Sequence, residues 1–384
     1  MIPYSCMTNL PIYLDYNAST PIDPRVIEAM HSVLEQGYGN PSSTHWAGMP
    51  AKDLLEASRR QVGGLLQCAA GEVVFTSGGS EANNLALKGV FYARRGRPFH
   101  LITTQIEHPS ILNPCAFLER EGARVTRLPV DGTGLVDADA LRRAITPDTA
   151  LVSIMHANNE TGTVEPIAEC ARIAREHGVL FHTDAAQSVG KIPTRVDELG
   201  VDLLSIAGHK LYAPKGVGAL YVRSGTHLEP LIHGAGHESG RRAGTESALL
   251  AAALGTASVL AANLNSIDMT RRLRDELWQG LKDRCGDRVV LNGHPELRLP
   301  NTLNVSFVGH TGADILAAIP GIAASTGSAC HSGRIELSPV LRAMGVSEEV
   351  GRGAIRFSLG RGTTNEDIQA AIERVSAAAA SSAR

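Results

Sequence analysis

Short apolar runs that alternate with longer helix-like segments constrain the fold of this chain most. Runs such as VVFT and ALVSIM are apolar along most of their length, as expected for strands buried on both faces. Strands that alternate with helices predict a mainly parallel α/β sheet with covering helices. The predicted strands here are residues 73–76, 100–104, 150–155, 179–184, 202–206 and 218–222, and the predicted helices are residues 49–67, 81–94 and 166–177.

The pattern changes after about residue 245, where Ala-rich and Leu-rich helical sequence leads to a second group of strands. We interpret residues 16–262 as a large domain, and residues 1–15 with 263–384 as a smaller α+β domain. The C-terminal AAAASSAR is expected to fray. The predicted strands of the smaller domain are residues 289–293, 302–308 and 354–359, and the predicted helices of the C-terminal region are 247–264, 271–285 and 366–378.

Composition excludes several classes of protein. A formal net charge of −3 over 384 residues gives no basic field for nucleic acid. No apolar run reaches the roughly 18 residues that a membrane helix needs, and the N-terminus lacks the pattern of a signal peptide. The six cysteines are scattered without a CxxC pair, which argues against a zinc site and a disulfide framework. We therefore expect a cytoplasmic protein with no metal.

Polar residues follow several of the predicted strands directly. Ligands of open α/β sheets bind beyond the carboxyl ends of the strands. Taken singly, each residue has a plainer interpretation as a helix cap, a turn residue, a half-buried histidine or a surface lysine. Together these residues supply an anion-binding turn, an aromatic ring, an amide, a carboxylate and an amine. These are residues 76–80, His108, residues 158–162, Asp184 with Gln187, and His209 with Lys210.

That combination is what pyridoxal 5′-phosphate requires of a protein. A lysine binds the cofactor covalently, and a carboxylate keeps the ring nitrogen protonated so that the ring withdraws electrons. A helix N-terminus holds the phosphate. Burial near other cations should lower the pKa of the lysine and make its amine a nucleophile.

Ten motifs, in this order along nearly the whole chain, resemble the cysteine desulfurases of the NifS/IscS family. That family has the aspartate-aminotransferase-like fold of fold-type-I pyridoxal phosphate enzymes, with a large α/β/α domain and a smaller α+β C-terminal domain. The motifs are YLDYNASTP, YGNPSSTHWAG, FTSGGSEANNLALKG, EHPS, MHANNETG, HTDAAQSVGK, GHKLYAPKGVGALYVR, GRRAGTES, STGSACHSG and IRFSLGR.

The resemblance implies a role for each of the grouped polar residues. Lys210 would form the Schiff base, Asp184 would pair with the ring nitrogen, Gln187 would bond the ring oxygen, and His108 would stack on the ring and shuttle protons. The phosphate would be held by Gly79, Ser80 and His209, and by Thr245 of a partner subunit in a homodimer. Asn159 would contact the cofactor and, with Arg356, hold the substrate carboxylate.

One position departs from the family pattern. Many members carry a phosphate-binding serine three residues before the lysine, where this chain has Ala207. Either one hydroxyl contact to the phosphate is missing, or Ser205 replaces it.

Cys330 lies in STGSACHSG, among small residues with no apolar pattern to bury it. A lone cysteine is usually an inert, buried small hydrophobe, but these flanks indicate a mobile, accessible loop at about residues 325–340. The spacing of 26 positions from Cys330 to Arg356 resembles that of the long-loop branch of the family. His331 either lowers the thiol pKa when protonated or is only an exposed loop residue. Cys68, Cys170 and Cys285 are interpreted as structural.

The expected activity is conversion of L-cysteine to L-alanine. Lys210 or His108 removes the α-proton, and Cys330 accepts the sulfur as a persulfide. An acceptor protein then takes the sulfur for iron–sulfur assembly, tRNA thiolation or DNA phosphorothioation; the YLDYNASTP opening and short tail are similar to desulfurases of the last kind. The alternatives are a selenocysteine lyase, an aminotransferase of the same fold, and a non-catalytic partner protein. No direct contact with nucleic acid or membrane is expected.

Overall fold

The structure is a computed structural model that describes residues 11–265, 267–326, 328–331 and 334–381; side chains of residues 36, 328–331 and 334–336 are outside the description. The strands are β1 (Ile12–Tyr13), β2 (Val73–Thr76), β3 (His100–Thr104), β4 (Arg124–Leu128), β5 (Thr149–Ser153), β6 (Leu180–Asp184), β7 (Leu203–Ala207), β8 (Gly218–Val222), β9 (Val289–Asn292), β10 (Thr302–Phe307), β11 (Ile322–Ala323), β12 (Ser325–Thr326), β13 (Ser328–His331), β14 (Arg334–Leu337) and β15 (Ala354–Ser358). The helices are α1 (Pro24–Gln36), α2 (Met49–Leu66), α3 (Gly79–Ala93), α4 (Pro109–Arg120), α5 (Ala138–Ala144), α6 (Ile167–Glu176), α7 (Val196–Leu199), α8 (Ala248–Ala261), α9 (Ile267–Cys285), α10 (Gly312–Ala318), α11 (Pro339–Ala343), α12 (Glu348–Gly351) and α13 (Asn365–Ser381).

The large sheet has seven strands in the order β2-β8-β7-β6-β5-β3-β4. Strands β3 to β7 are parallel to their neighbours among themselves, whereas β8 is antiparallel to both β2 and β7. One face packs on α2, α6 and α8 and the other on α3 and α4, each through its own apolar cluster. Each fully buried leucine or phenylalanine in these clusters stabilises the fold by about 1.5–3 kcal/mol. The predicted α/β sheet with covering helices is confirmed.

Several elements of the large domain were not predicted, among them strand β4 and helix α4. Strand β4 lies at the sheet edge, and only its last residue, Leu128, is buried. Its sequence, RVTRL, therefore lacks the continuous apolar run that marks the inner strands. Helix α4 contains Pro114 in its interior, and a proline at such a position argues against a helix in the sequence.

The small sheet has the order β12-β15-β10-β9 and is antiparallel throughout. Its core is separate from those of the large sheet: α9 and α13 cover it, and Ile12 and Leu14 join it through the pairing of β1 with β11. The predicted domain boundary at residue 262 falls directly after α8.

The expectation of a frayed C-terminal tail is wrong for residues 377–381. Helix α13 continues to Ser381, and Ala378 and Ala379 are buried against the small core. Alanine has the highest helix propensity of all residues, so a run of small residues extends this helix where it finds a packing surface.

The segment predicted as a mobile loop around Cys330 contains a backbone hairpin. Strands β13 and β14 pair antiparallel, with Cys330 opposite Ile335, and Ser338 then caps α11. The side chains of Cys330 and His331 lie outside the described part, so their predicted roles stay predictions.

No helix within the described ranges is both long enough and apolar enough to cross a membrane.

Candidate active site

A cavity of about 390 Å³ opens at the carboxyl ends of the parallel strands. This volume is within the range of small-molecule sites, about 300–1,000 Å³. It lies where the sequence predicted a ligand, because parallel strands end at one edge of the sheet. The predicted site residues that line it are Gly79, Ser80, His108, Asn159, Asp184, Gln187, His209, Lys210 and Arg356.

Lys210 closes a short 3₁₀ turn that follows β7. Its ammonium donates to the carbonyl oxygens of Asn17 and Ala18, the latter at 2.8 Å. Burial lowers the pKa of Lys210 to about 8, and the nearby Arg356 guanidinium acts in the same direction. A useful fraction of the amine is therefore neutral and nucleophilic near neutral pH.

Asp184 is the last residue of β6 and is buried. Its Oδ1 accepts from the backbone N–H of Ala186 at 2.9 Å, and its Oδ2 accepts from Asn83 Nδ2 at 2.7 Å. Neither donor is a cation, so the carboxylate keeps its capacity to stabilise a positive charge in the cavity.

The N-terminus of α3 forms the anion-binding side of the cavity. Gly78, which precedes the helix, has φ +151° and ψ −179°, a conformation that is essentially restricted to glycine. The turn brings Gly79 and Ser80 into the cavity wall, where the first N–H groups of a helix have no intrahelical acceptor. A Cβ on Gly79 would lie 3.1 Å from the Cβ of Ala207, so helix and strand approach closely here.

Ala207, where many family members carry a phosphate-binding serine, lines the cavity. Ser205 is fully buried and does not line the cavity, and its Oγ lies 3.0 Å from Nε2 of His182. Ser205 therefore does not replace the missing hydroxyl, and this wall of the cavity presents a methyl group. His209 does line the cavity, and burial, with Lys210 and Lys215 nearby, lowers its pKa to about 4. Its ring is neutral at physiological pH.

The orientation of the Gln187 amide is fixed by Lys191, which the sequence analysis missed. Lys191 Nζ donates to Gln187 Oε1 at 2.9 Å, while Gln187 Nε2 donates to the carbonyl of Asn17 at 3.0 Å. The amide NH₂ therefore has one hydrogen left for a further acceptor. Burial, together with Lys210 and Arg356, lowers the pKa of Lys191 to about 7. The only sequence signal for Lys191 is its place at the end of HTDAAQSVGK.

Arg356 reaches the cavity from β15 of the small sheet. Its Nη1 donates to the carbonyl of Asn159 at 3.0 Å, and its Nη2 donates to Asp15 Oδ1 at 2.8 Å and Ser325 Oγ at 3.0 Å. Its Nε is buried and has no partner in the described structure. These three bonds hold the guanidinium in place and leave two of its five N–H groups, one on Nε and one on Nη1, without a partner among the described residues. Asp15 was not predicted as a site residue, although it lies in the motif YLDYNASTP.

Besides Ser205, Thr245 is a predicted site residue that lies apart from this cavity in the same chain. Thr245 is exposed and lines a separate groove of about 230 Å³ with Phe75 and Ser77. Cys330 belongs to the β13–β14 hairpin, and its side chain is not described.

Comparisons with known proteins agree with this geometry. The family model described as aminotransferase class-V matches residues 12–371. The cysteine desulfurase IscS of Dictyoglomus turgidum is 48% identical over 361 residues, which cover 93% of this chain and 91% of the relative. A solved NifS-like protein superimposes with a TM-score of 0.90 at 36% identity, covering 96% of this chain and 99% of the other. SspA, solved in complex with cysteine, gives a TM-score of 0.81 at 38% identity over 91% and 98% of the two chains. The chain therefore belongs to the class-V aminotransferase family, among the cysteine desulfurases of the NifS/IscS kind.

Proposed function

We propose that this protein is a pyridoxal phosphate-dependent cysteine desulfurase, which converts L-cysteine to L-alanine and carries the sulfur as a persulfide on Cys330. The observation that carries the proposal is a single cavity that holds a lysine with a lowered pKa, a buried carboxylate and an open helix N-terminus. Relatives 45–48% identical carry the name cysteine desulfurase, and SspA was solved with cysteine bound.

The residues of the cavity fit pyridoxal phosphate. Gly79, Ser80 and His209 would hold the phosphate, Asp184 the ring nitrogen, and Lys210 the aldehyde carbon. Gln187 has one N–H to donate to the ring oxygen, and Thr245 would reach the phosphate of a partner subunit. When bound, the cofactor withdraws electrons from the α-carbon of the substrate.

Residues of the chain perform the remaining steps. The guanidinium of Arg356, which lines the cavity, would bind the substrate carboxylate and orient the α-carbon. Neutral Lys210 would take the α-proton and return a proton as alanine forms. The Cys330 thiolate attacks the substrate sulfur: an S–S bond forms, the Cβ–S bond breaks, and its electron pair stays with the carbon fragment, which takes up a proton. The thiol is oxidised to the persulfide level while Cβ is reduced, so no further oxidant is needed.

We expect one sulfur atom to be added to Cys330 during turnover. Mass spectrometry of the alkylated peptide containing Cys330 should show it after incubation with L-cysteine, while alanine accumulates. Cys330→Ser should abolish both the persulfide and sustained alanine release. Cys68→Ser, which removes a half-buried thiol whose pKa burial raises to about 12, should retain both. Normal alanine release by Cys330→Ser would contradict the proposal.

We propose iron–sulfur cluster assembly as the destination of the sulfur. Supporting this are the relatives named IscS, which are 45–48% identical to the chain. The acceptor is then a cysteine of a partner protein, since a persulfide passes its outer sulfur to another thiolate.

We also propose a homodimer, supported by a cluster of exposed apolar side chains. Leu34, Tyr38, Trp46 and Met49 are 63%, 74%, 79% and 53% exposed, and lie on α1, on the start of α2 and between them. A cluster of this kind marks an interaction surface, and the role proposed for Thr245 requires a second copy of this chain.

Trp46→Asp is expected to raise the dissociation constant of this dimer by at least about tenfold, because the substitution places a charge where the dimer would bury an aromatic side chain. Sedimentation velocity over a range of concentrations measures the shift toward monomer. Val290→Asp places the same charge at a 40% exposed position on β9 and should leave the dimer intact. Equal sedimentation of both variants and the unmodified protein would argue against this interface.

A further inference from the structure

A chain of hydrogen bonds connects Asp184 to His108 through two residues that the sequence analysis did not select. Asn83 Nδ2 donates to Asp184 Oδ2 at 2.7 Å and to Ser110 Oγ at 2.8 Å. Ser110 Oγ lies 2.8 Å from His108 Nδ1, and the backbone N–H of Ser110 donates to the same nitrogen at 3.1 Å. The chain joins β6, α3 and the first turn of α4.

The direction of each bond in this chain is fixed by its partners. The Asp184 carboxylate only accepts, so Asn83 must present its NH₂ group to it; a flipped amide would set two oxygens against each other. The second N–H of Asn83 then occupies a lone pair of Ser110 Oγ. The backbone N–H of Ser110 can only donate, so His108 Nδ1 must be an acceptor. The hydroxyl proton of Ser110 is therefore also directed at Nδ1.

A histidine held in this way carries its proton on Nε2. Two donors cover the lone pair of Nδ1, and a proton on Nδ1 would face the backbone N–H of Ser110. Neither ring nitrogen then has a free lone pair with which to take a proton. Burial lowers the pKa of His108, which favours the neutral ring, and of the charges that face it, Lys210 lowers that pKa further while Asp184 raises it.

We propose that Ser110 is a positioning residue that locks His108 as the neutral Nε2–H tautomer, so that His108 donates a hydrogen bond in the cavity and Lys210 alone removes the α-proton. The assignment of the base rests on the proposed function, whereas the tautomer does not. His108 still touches the cavity and is a catalytic residue in that sense, but it acts as a donor and not as a base.

The test is the ring ¹³C spectrum of histidine-labelled protein, because the Cδ2 shift distinguishes the two neutral tautomers and the imidazolium. His108→Gln assigns the signal. The full-length protein should show the Nε2–H form near neutral pH. Ser110→Ala removes the shorter hydroxyl contact at 2.8 Å and leaves only the backbone N–H, which reaches Nδ1 at 3.1 Å. The Nε2–H form should then be held less firmly, so the signal should shift part of the way toward a mixture of tautomers and the pKa of His108 should rise. Ser110→Thr keeps a hydroxyl and should restore the original signal, and Asn113→Ala, an exposed change on the same helix, should leave it unchanged.

Kinetics supply the second measurement. Loss of the hydrogen bond from Ser110 Oγ to His108 should lower kcat of Ser110→Ala by about tenfold and change KM by no more than about twofold. Ser110→Thr should keep most of the original kcat. An Nδ1–H or imidazolium signal in the unmodified protein, or equal kcat losses in the alanine and threonine variants, would overturn the inference. Desulfurase activity together with an Nδ1–H signal would reject the inference alone. The Nε2–H signal without desulfurase activity would reject the proposed function and leave the tautomer assignment intact.

Discussion

Replacing Lys210 with alanine should lower the rate of alanine formation from L-cysteine by at least about 10³-fold, because in the proposed function this one residue supplies both the covalent attachment and the proton carrier. No second amine takes over: Lys191 is held on Gln187 Oε1. Alanine release should be measured at saturating cofactor. Lys215→Ala is the matched control, since Lys215 is exposed five residues further along the chain, and it should keep full activity.

A small primary amine added to Lys210→Ala should restore part of the rate, since it can enter the space left by the side chain. Rescue of this kind separates lost chemistry from lost folding. The pH dependence adds a check with a defined sign. Burial lowers the pKa of Lys210 to about 8. The neutral amine is the form that attacks the cofactor, so the rate of cofactor uptake by protein freed of its cofactor should rise with pH up to about 8 and then level off. A rate that falls over this range, or Lys210→Ala with near-normal turnover, would rule out Lys210 as the nucleophile.

The sequence predicted the residues at strand ends well, for a physical reason. Parallel strands end at one edge of the sheet, so any polar residue directly after an inner strand is brought to the same place. Asp184 is the last residue of β6, Lys210 follows the adjacent strand β7, and both line the cavity. Neither position requires knowledge of how the helices pack.

Asn83 and Ser110 were missed because their role depends on packing between elements. They lie 27 residues apart on α3 and α4, where a polar residue near a helix start is usually a cap. Ser205 failed for a related reason. It shares a face of β7 with Ala207, but it lies two residues deeper along the strand, where His182 meets its hydroxyl. Residue alternation gives the face of a strand and not the depth of a side chain.

Asp184→Ala is expected to lower kcat/KM by about 10²–10³-fold, because in the proposed function this buried carboxylate faces the ring nitrogen and stabilises its protonated form by several kcal/mol. The same change removes the acceptor that orients Asn83, so the His108 signal should also shift toward a mixture of tautomers. Asp148→Ala, at an exposed site before β5, should change neither quantity.

A cofactor analogue methylated at the ring nitrogen separates these two effects of Asp184. Its positive charge is permanent and does not need a carboxylate to hold a proton. It should raise the activity of Asp184→Ala by at least about tenfold over the natural cofactor, yet leave the His108 tautomers mixed, since Asn83 still lacks its acceptor. If the analogue gave no gain, Asp184 would not act through the charge of the ring nitrogen. If it restored the tautomer as well, the bond from Asn83 to Asp184 would not be what orients Ser110 and His108.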